Sequence, residues 1–583
     1  MASRKRTAHP GADPGVANRR RLESESGAIV KPHAGRLRVA LAYPNSYATG
    51  MSNLGVHALY AALNARDDVV CERLFLPDAD EIGWLDASRR PLASFESNTP
   101  VAAFDLVAFS VTFEGDYHNV VRLLTLAGIR PRDRSDDDPL VIAGGIAVTM
   151  NPEPLAPFMD ALYIGEADIT DETIDLLRSR DRRRLARLPG FYVPAGYTPR
   201  YAAGRLVGYD VADGYPERIR RVWRSDAMRR PNVTVIDAPE AVFGDMGLVE
   251  TGKGCGKHCR FCAAGYIYRP TRHADADALL AAIDDAVARK GKVGLMGSAL
   301  GDHPDLETLM ERVVERGGSF SVSSLRLDRI GDRTLAALSA GNCHTITVAP
   351  EAGSQRVRRA INKDLTDETI LDAVTRIGAA GPFHIKCYFL VGFPGETDDE
   401  ALAIVDLTAR IQERFVDASR SRGTVGRLTV GVDVFVPKPF TPFQWAPFVG
   451  AKIAQKRLAA VGKGLRKIAN VTPMIGSAKA ARFQAILSVG DRRIAPIIER
   501  AAADGDWKEA VAAGDIDVER LVERERSVDD LLPWGLLDHG LRPGYLEKEW
   551  RLFAKEKLTP ECPLPGEPCR RCGSFIGVCV DHE

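Results

Sequence analysis

Twelve residues, Thr251 to Cys262, constrain this chain most; they read TGKGCGKHCRFC. Cys255, Cys259 and Cys262 are separated by three and then two intervening residues. Thiolates packed this closely can cap three corners of a cubic 4Fe–4S cluster, whose protein ligands are cysteines. The fourth iron then has no ligand from the loop and is open to a small chelating molecule. A zinc knuckle needs a fourth Cys or His nearby. His258 is in the loop, but it stands between two of the cysteines, a poor geometry for sharing one tetrahedral ion.

At 583 residues the chain is long enough for several domains. Its formal net charge is zero, so no global field draws it to nucleic acid or a membrane surface. No apolar stretch reaches the 18 residues of a spanning helix, and no membrane partner is expected. Residues 1–35 carry Arg4, Lys5, Arg6 and Arg19 to Arg21 without an apolar core, so they are not a secretory signal. They are expected to be a disordered basic tail, with a nucleic-acid-binding arm as the alternative. Of ten cysteines, three are in the loop, four fall in the last 22 residues, and Cys71, Cys343 and Cys387 are isolated. Clusters at ligand spacing argue for metal in a reducing compartment rather than a disulfide framework, so a cytoplasmic location is expected.

Residues 36–180 alternate short apolar runs with helix-length stretches. The runs are Leu37 to Tyr43, Val69 to Leu76, Asp105 to Phe113, Leu140 to Ala143 and Ala161 to Ile164; Asn53 to Asn64 and Tyr117 to Ala127 lie between them. This pattern predicts a doubly wound parallel sheet, Rossmann-like, with helices on both faces. Ligands of such sheets sit beyond the carboxyl ends of the strands. Those ends carry Ser110 and Thr112, Gly144 and Gly145, then Gly165 and Glu166.

Residues 181–240 are charged and read as a connecting segment, with strand pairing plausible at Phe191 to Val193 and Arg205 to Tyr209. In 241–450, Val242 to Glu250 is expected to be the strand that delivers the cysteine loop. Further strands are expected at Val293 to Gly297, Phe320 to Leu325, Thr345 to Ala349, Ile385 to Gly392 and Leu428 to Phe435. Six β-then-α units predict a partial (β/α)6 barrel with its chemistry at the carboxyl face.

The loop spacing, with Phe261 before the last cysteine, resembles the signature of the radical S-adenosylmethionine (SAM) enzymes. The resemblance implies that the open iron binds the amino and carboxylate groups of SAM, and that the reduced cluster splits SAM to methionine and a 5′-deoxyadenosyl radical. It extends to MGSALGD (Gly297, Ser298), SSLRLD (Ser324, Arg326), VAPEAGSQRVRRAINK (Glu351, Arg356) and YFLVGFPGET (Gly392), which implies SAM contacts at those residues. A carboxylate at Glu351 can bind ribose hydroxyls, and a guanidinium at Arg356 can pair a carboxylate. The strings SVTFEGDYHNV, LVIAGGIAVTMNPEP and ALYIGEAD make 36–180 similar to the cobalamin-binding domain that precedes many radical SAM cores. One departure is the Asp-x-His-x-x-Gly motif of histidine-ligated cobalamin proteins: Asp116 and His118 have its first part, but Val121 replaces the glycine.

Residues 451–555 are expected to be a helical extension. Lys452 to Lys467 is amphipathic with a basic face, and Asp491, Arg492 and Arg493 are candidates for a substrate wall. In 556–583, Cys562, Cys569, Cys572 and Cys579 are spaced six, two and six, a set suited to zinc or to a second 4Fe–4S cluster; His582 could replace one ligand. Cys387 and Cys343 are candidates for radical quenching, against a structural role in the core. The resulting expectation is a radical SAM enzyme that methylates an unactivated carbon with cobalamin. The alternatives are a non-methylating oxidoreductase or sulfur-inserting enzyme with a vestigial first domain, and a cluster-bearing RNA- or ribosome-binding factor. An electron donor such as a flavodoxin or ferredoxin is implied; RNA and protein both stay open as substrates.

Overall fold

The computed structural model describes residues 13–514, 516–563, 569 and 571–573. Cys579 and His582 lie outside them. The first sheet runs in the order Val69–Phe75, Leu37–Tyr43, Leu106–Ser110, Leu140–Gly144, Ala161–Tyr163, Phe191–Tyr192. The first five strands are parallel and the sixth is antiparallel at the edge. Its strands are mostly apolar because helices cover both faces, although Val69–Phe75 carries Glu72 and Arg73. Leu54–Asn64 starts where the Asn53 side chain accepts the Val56 N–H at 3.2 Å, a helix N-cap.

Residues 13–35 are not the disordered tail expected of them. Pro14–Ser24 is a helix capped by Asp13, and Ser26 pairs with Asp237. The reason is a buried charge. Arg73 is fully buried in the second strand, and its guanidinium meets Glu96 at 2.6 Å and Glu25 at 2.6 and 2.8 Å. Glu25 also accepts from the Tyr47 hydroxyl at 2.6 Å. The segment is thus held by an acid that a core arginine requires.

The second sheet system has seven parallel strands in sequence order: Gly247–Lys253, Lys292–Gly297, Ser319–Val322, Thr345–Glu351, His384–Val391, Leu428–Val434 and Val471–Ile475. A bridge between Leu325 and Val348 joins the third to the fourth. Arg272–His273 adds an antiparallel edge beside the first. This is a partial barrel, with two differences from expectation. The first strand begins at Gly247, leaving Val242 and Phe243 exposed. The seventh strand lies in the stretch expected to be helical; it is five residues long and carries Pro473, which a sheet tolerates at an edge.

The connecting segment does more than link. Phe191–Tyr192 closes the first sheet, Tyr197–Ala202 and Arg205–Val211 form a hairpin, and Ile219–Arg220 pairs with Leu537–Asp538 near the carboxyl terminus. The helical extension also binds the first sheet's domain. Arg492 pairs with buried Glu153 at 2.8 Å and donates to the Tyr192 hydroxyl at 2.6 Å, while Arg493 pairs with Asp491 at 2.7 Å. These residues lock two domains together and do not form the expected substrate wall. On the basic helix, Arg457 is buried against Glu396 at 3.0 Å and Lys456 pairs with Asp398 at 2.6 Å.

Arg73→Met strands two buried carboxylates. It should destabilise the chain by roughly 3–5 kcal/mol, read as a lowered urea midpoint, and should open Pro14–Ser24 to proteolysis.

Candidate functional site

The first barrel strand ends at Lys253, and the cysteine loop follows at its carboxyl end. Gly254 adopts φ +83°, and a Cβ there would lie 2.7 Å from the Tyr268 carbonyl, so only glycine makes this turn. Cys259 is buried and Cys255 and Cys262 half-buried; the Lys257 N–H reaches the Cys255 sulfur at 3.4 Å. Burial, reinforced by Cys259, pushes the Cys255 thiol up to about 12 and Cys262 to about 11; burial also raises Cys259, against the pull of Lys363 and Arg326. Burial thus favours the thiol form in this loop, and a metal centre, which binds thiolates, would release those protons. Among the described residues no three His, Cys, Asp or Glu side chains converge on a single ion. A cluster asks something different, one thiolate for each of three irons, and three thiols in an eight-residue loop supply that donor set.

The rest of the loop faces away from the thiols into buried polar contacts. Arg260 is fully buried; its guanidinium donates to the Ala360 and Lys557 carbonyls at 2.6 and 2.7 Å and meets Glu549 at 3.3 Å. Asn362 donates to the His258 carbonyl at 3.2 Å. Phe261 packs edge-on against Phe393.

Glu351 ends the fourth strand at φ +74°, a left-handed conformation that a non-glycine residue adopts at a cost of about 1–3 kcal/mol. The strain brings its carboxylate to Lys363, 3.1 Å away, and both are within electrostatic reach of Cys259. Arg326, held by Asp328 at 2.8 Å, completes the charged set around that thiol. Lys363 was missed as a site residue although it ends the Ile-Asn-Lys string. Thr251 was missed too; its hydroxyl donates to the Met296 carbonyl at 3.1 Å and packs where a Cβ on Gly297 would meet it. Ser298 and Ser324 are exposed at strand ends. Gly392 adopts φ +93°, and its N–H donates to Glu396 at 2.5 Å.

Three expectations fail on geometry. Arg356 is engaged by Glu400 at 2.6 Å and Glu556 at 2.7 Å, so its guanidinium does not await a ligand carboxylate. Cys343 lies ahead of the fourth strand, at the opposite end from the loop, and its thiol donates to the Thr345 carbonyl at 3.6 Å. Cys387 alternates with His384, Lys386 and Tyr388, and packs in the buried row with Ile385 and Phe389. Neither thiol is placed to quench a radical at the carboxyl face.

The carboxyl edges of the two sheets face each other. Lys438, beyond the sixth barrel strand, pairs with Glu114, which also accepts from Gln484 at 2.9 Å; Arg272 pairs with Glu166 at 2.9 Å. Of the residues expected to meet a corrin, Gly145 and Gly165 adopt positive φ to let the Val111 and Val222 carbonyls approach, and Glu166 is held by Arg272. These three serve the protein itself. Ser110, Gly144 and Thr112, whose hydroxyl lies 3.0 Å from the Tyr43 hydroxyl, remain on the edge. Beside them Asp116 accepts from Asn45 at 2.9 Å and Asn119 at 3.2 Å. The His118 ring packs near Phe483.

The family model described as "Radical SAM superfamily" matches residues 249–408, and "Radical SAM proteins, N-terminal" matches 55–194. Together they span just over half the chain. An uncharacterised protein of Methanocaldococcus jannaschii is 26% identical over 79% of this chain and 90% of its own length. An uncharacterised methyltransferase of Pyrococcus horikoshii is 24% identical over 47% of this chain and 59% of its own. A tRNA-2-methylthio-N(6)-dimethylallyladenosine synthase of Syntrophomonas wolfei is 26% identical over 27% and 39%. Among solved structures, the radical S-adenosylmethionine methyltransferase TsrM from Kitasatospora setae is 13% identical, with a TM-score of 0.49 over 82% of this chain and 98% of that one. No helix among the described residues is long and apolar enough to cross a membrane.

Burial is the main cause that raises the Asp116 carboxyl, to about 6. A carboxyl with a folded pKa above its unfolded value binds protons more tightly when folded, so stability falls as pH rises from the usual carboxylate range to about 6. Asp116→Asn should therefore add roughly 1–3 kcal/mol at pH 7 and flatten this part of the profile, measured by denaturant unfolding at acid and neutral pH.

Proposed function

The chain belongs to the radical SAM superfamily, and from that premise we propose that it is a C-methylating enzyme that uses a corrin held between its two facing sheet edges. Its cofactors are SAM and a 4Fe–4S cluster, and Cys255, Cys259 and Cys262 are the cluster's ligands in this reading. When bound, the cluster supplies the electron that cleaves SAM to methionine and a 5′-deoxyadenosyl radical, which takes a hydrogen atom from the substrate. The observation that carries the assignment is the charged set around Cys259. Lys363, Glu351 and Arg326 are within electrostatic reach of one buried thiol of the triplet, and Lys363 pairs with Glu351 at 3.1 Å. An aminocarboxylate chelating the open iron meets a cation for its carboxylate and an acid for the N–H of its coordinated amine or for its ribose.

The corrin reading rests on position: the edge with Ser110, Thr112 and Gly144 belongs to the sheet whose carboxyl end meets the barrel through Glu114–Lys438 and Glu166–Arg272. Sulfur insertion is the second reading, favoured by the cysteine-rich carboxyl segment that lies against the loop. The substrate, a soluble one-electron donor of the flavodoxin or ferredoxin class, and a reducing, cytoplasmic setting all belong to this proposal. Bound corrin after anaerobic reconstitution supports methyl transfer; its absence favours the second reading.

Cys259→Ala should reduce 5′-deoxyadenosine formation to background in the dithionite-reduced protein, assayed by chromatography, while the far-ultraviolet circular dichroism stays unchanged. Lys363→Met should raise the Kd for SAM roughly tenfold to a hundredfold, the loss of one charge-assisted hydrogen bond, measured by titration of the reconstituted protein.

A further inference from the structure

Cys562 joins the barrel mouth and is not part of a separate appendage. The Cys562 N–H donates to the Gly256 carbonyl at 2.8 Å, one residue after Cys255. A Cβ on Gly256 would lie 3.4 Å from the Cys562 Cβ, so the glycine leaves room for that approach. Cys572 is 2% exposed and packs with Tyr266 and Tyr545. Cys569 and Cys572 are both within electrostatic reach of Cys562.

Two buried side chains stand beside this set, His258 of the loop and Arg269 beyond it. His258 is 1% exposed, and its Nε2 lies 3.6 Å from the Cys562 sulfur. Its other nitrogen, Nδ1, lies 2.8 Å from Nη2 of Arg269. A guanidinium can only donate, so Nδ1 accepts and Nε2 carries the proton. The imidazole therefore presents an N–H to Cys562 and is not free to bind metal there. Arg269 is 2% exposed, and among the described residues no carboxylate stands within ion-pair distance of it. Its Nη1 is buried without a hydrogen-bond partner. A buried cation in this state calls for a negative charge, and the acidic groups beside it include Cys562 and Cys572.

We infer that Cys562, Cys569 and Cys572 hold a second iron–sulfur cluster directly behind the SAM-binding loop, with His258 donating a hydrogen bond to the Cys562 thiolate and Arg269 balancing the charge. A cluster with thiolate ligands is net negative, which is what Arg269 lacks. The site places a redox centre one hydrogen bond from the segment that carries Cys255, in position to receive an electron from a one-electron protein donor and pass it to the loop cluster. That relay role rests on the radical SAM reading; the site itself does not.

Iron and sulfide counts on anaerobically reconstituted full-length protein test the site. Wild type should hold about eight irons, and Cys562→Ser/Cys569→Ser about four. A variant with Cys255, Cys259 and Cys262 all changed to Ala should also keep about four, whether or not the loop proves to bind SAM. Eight irons in the Cys562/Cys569 variant, or four irons with one zinc in wild type, would overturn the inference. Hydrogen bonds to cluster sulfurs set the reduction potential. His258→Leu should therefore shift the potential of the cluster that survives in the triple-Ala background to a more negative value, and an unchanged potential in a variant that retains its iron removes His258 from the assignment.

Discussion

The site depends on a single buried guanidinium. The cysteine loop is rich in glycine and lysine and has no apolar stripe to fix it in a core. Arg260 does that work, bonded to the Ala360 carbonyl on one side and to Glu549 and the Lys557 carbonyl on the other. Asn362 repeats the link: its amide donates to the His258 and Thr559 carbonyls, and its oxygen accepts the Thr559 N–H at 2.7 Å. The positions of three thiols are thereby set by segments about a hundred and about three hundred residues away. Only arginine presents several donors in one rigid plane, so lysine at this position would leave most of these acceptors empty.

The same logic orders the larger assembly. Parallel sheets gather their ligand-binding loops at the carboxyl edge, and here two such edges are turned toward each other. Glu114 with Lys438, Glu166 with Arg272, and Glu153 with Arg492 fix that relation through partly or fully buried charges. A paired charge withdrawn from water is costly to separate, so each bridge opposes hinge opening.

Much of this was legible in the sequence, because apolar runs and short-range spacing are local signals. The five parallel strands of the first sheet and six of the seven in the barrel follow from their runs. The cysteine triplet announces its own chemistry. What escaped was set by distant partners. Pro14–Ser24 reads as a basic tail until Glu25 is seen beside Arg73. Arg356 looks suited to bind a ligand, and only the presence of Glu400 and Glu556 shows that it is already engaged. His258 looked misplaced because the loop alone was considered; its counterpart, Cys562, is 304 residues further on. Val471–Ile475 escaped for a local reason, a proline inside a run too short to carry a periodicity.

The central claim is a cluster with one iron open to SAM. Electron–nuclear double resonance on the reduced protein, with SAM labelled in its amino and carboxyl groups, tests it most directly. Coupling of both labels to the cluster spin, lost when Cys259 is replaced by Ala, is the result this account predicts. A reduced cluster whose signal is untouched by SAM, with no coupling to either label, would contradict it.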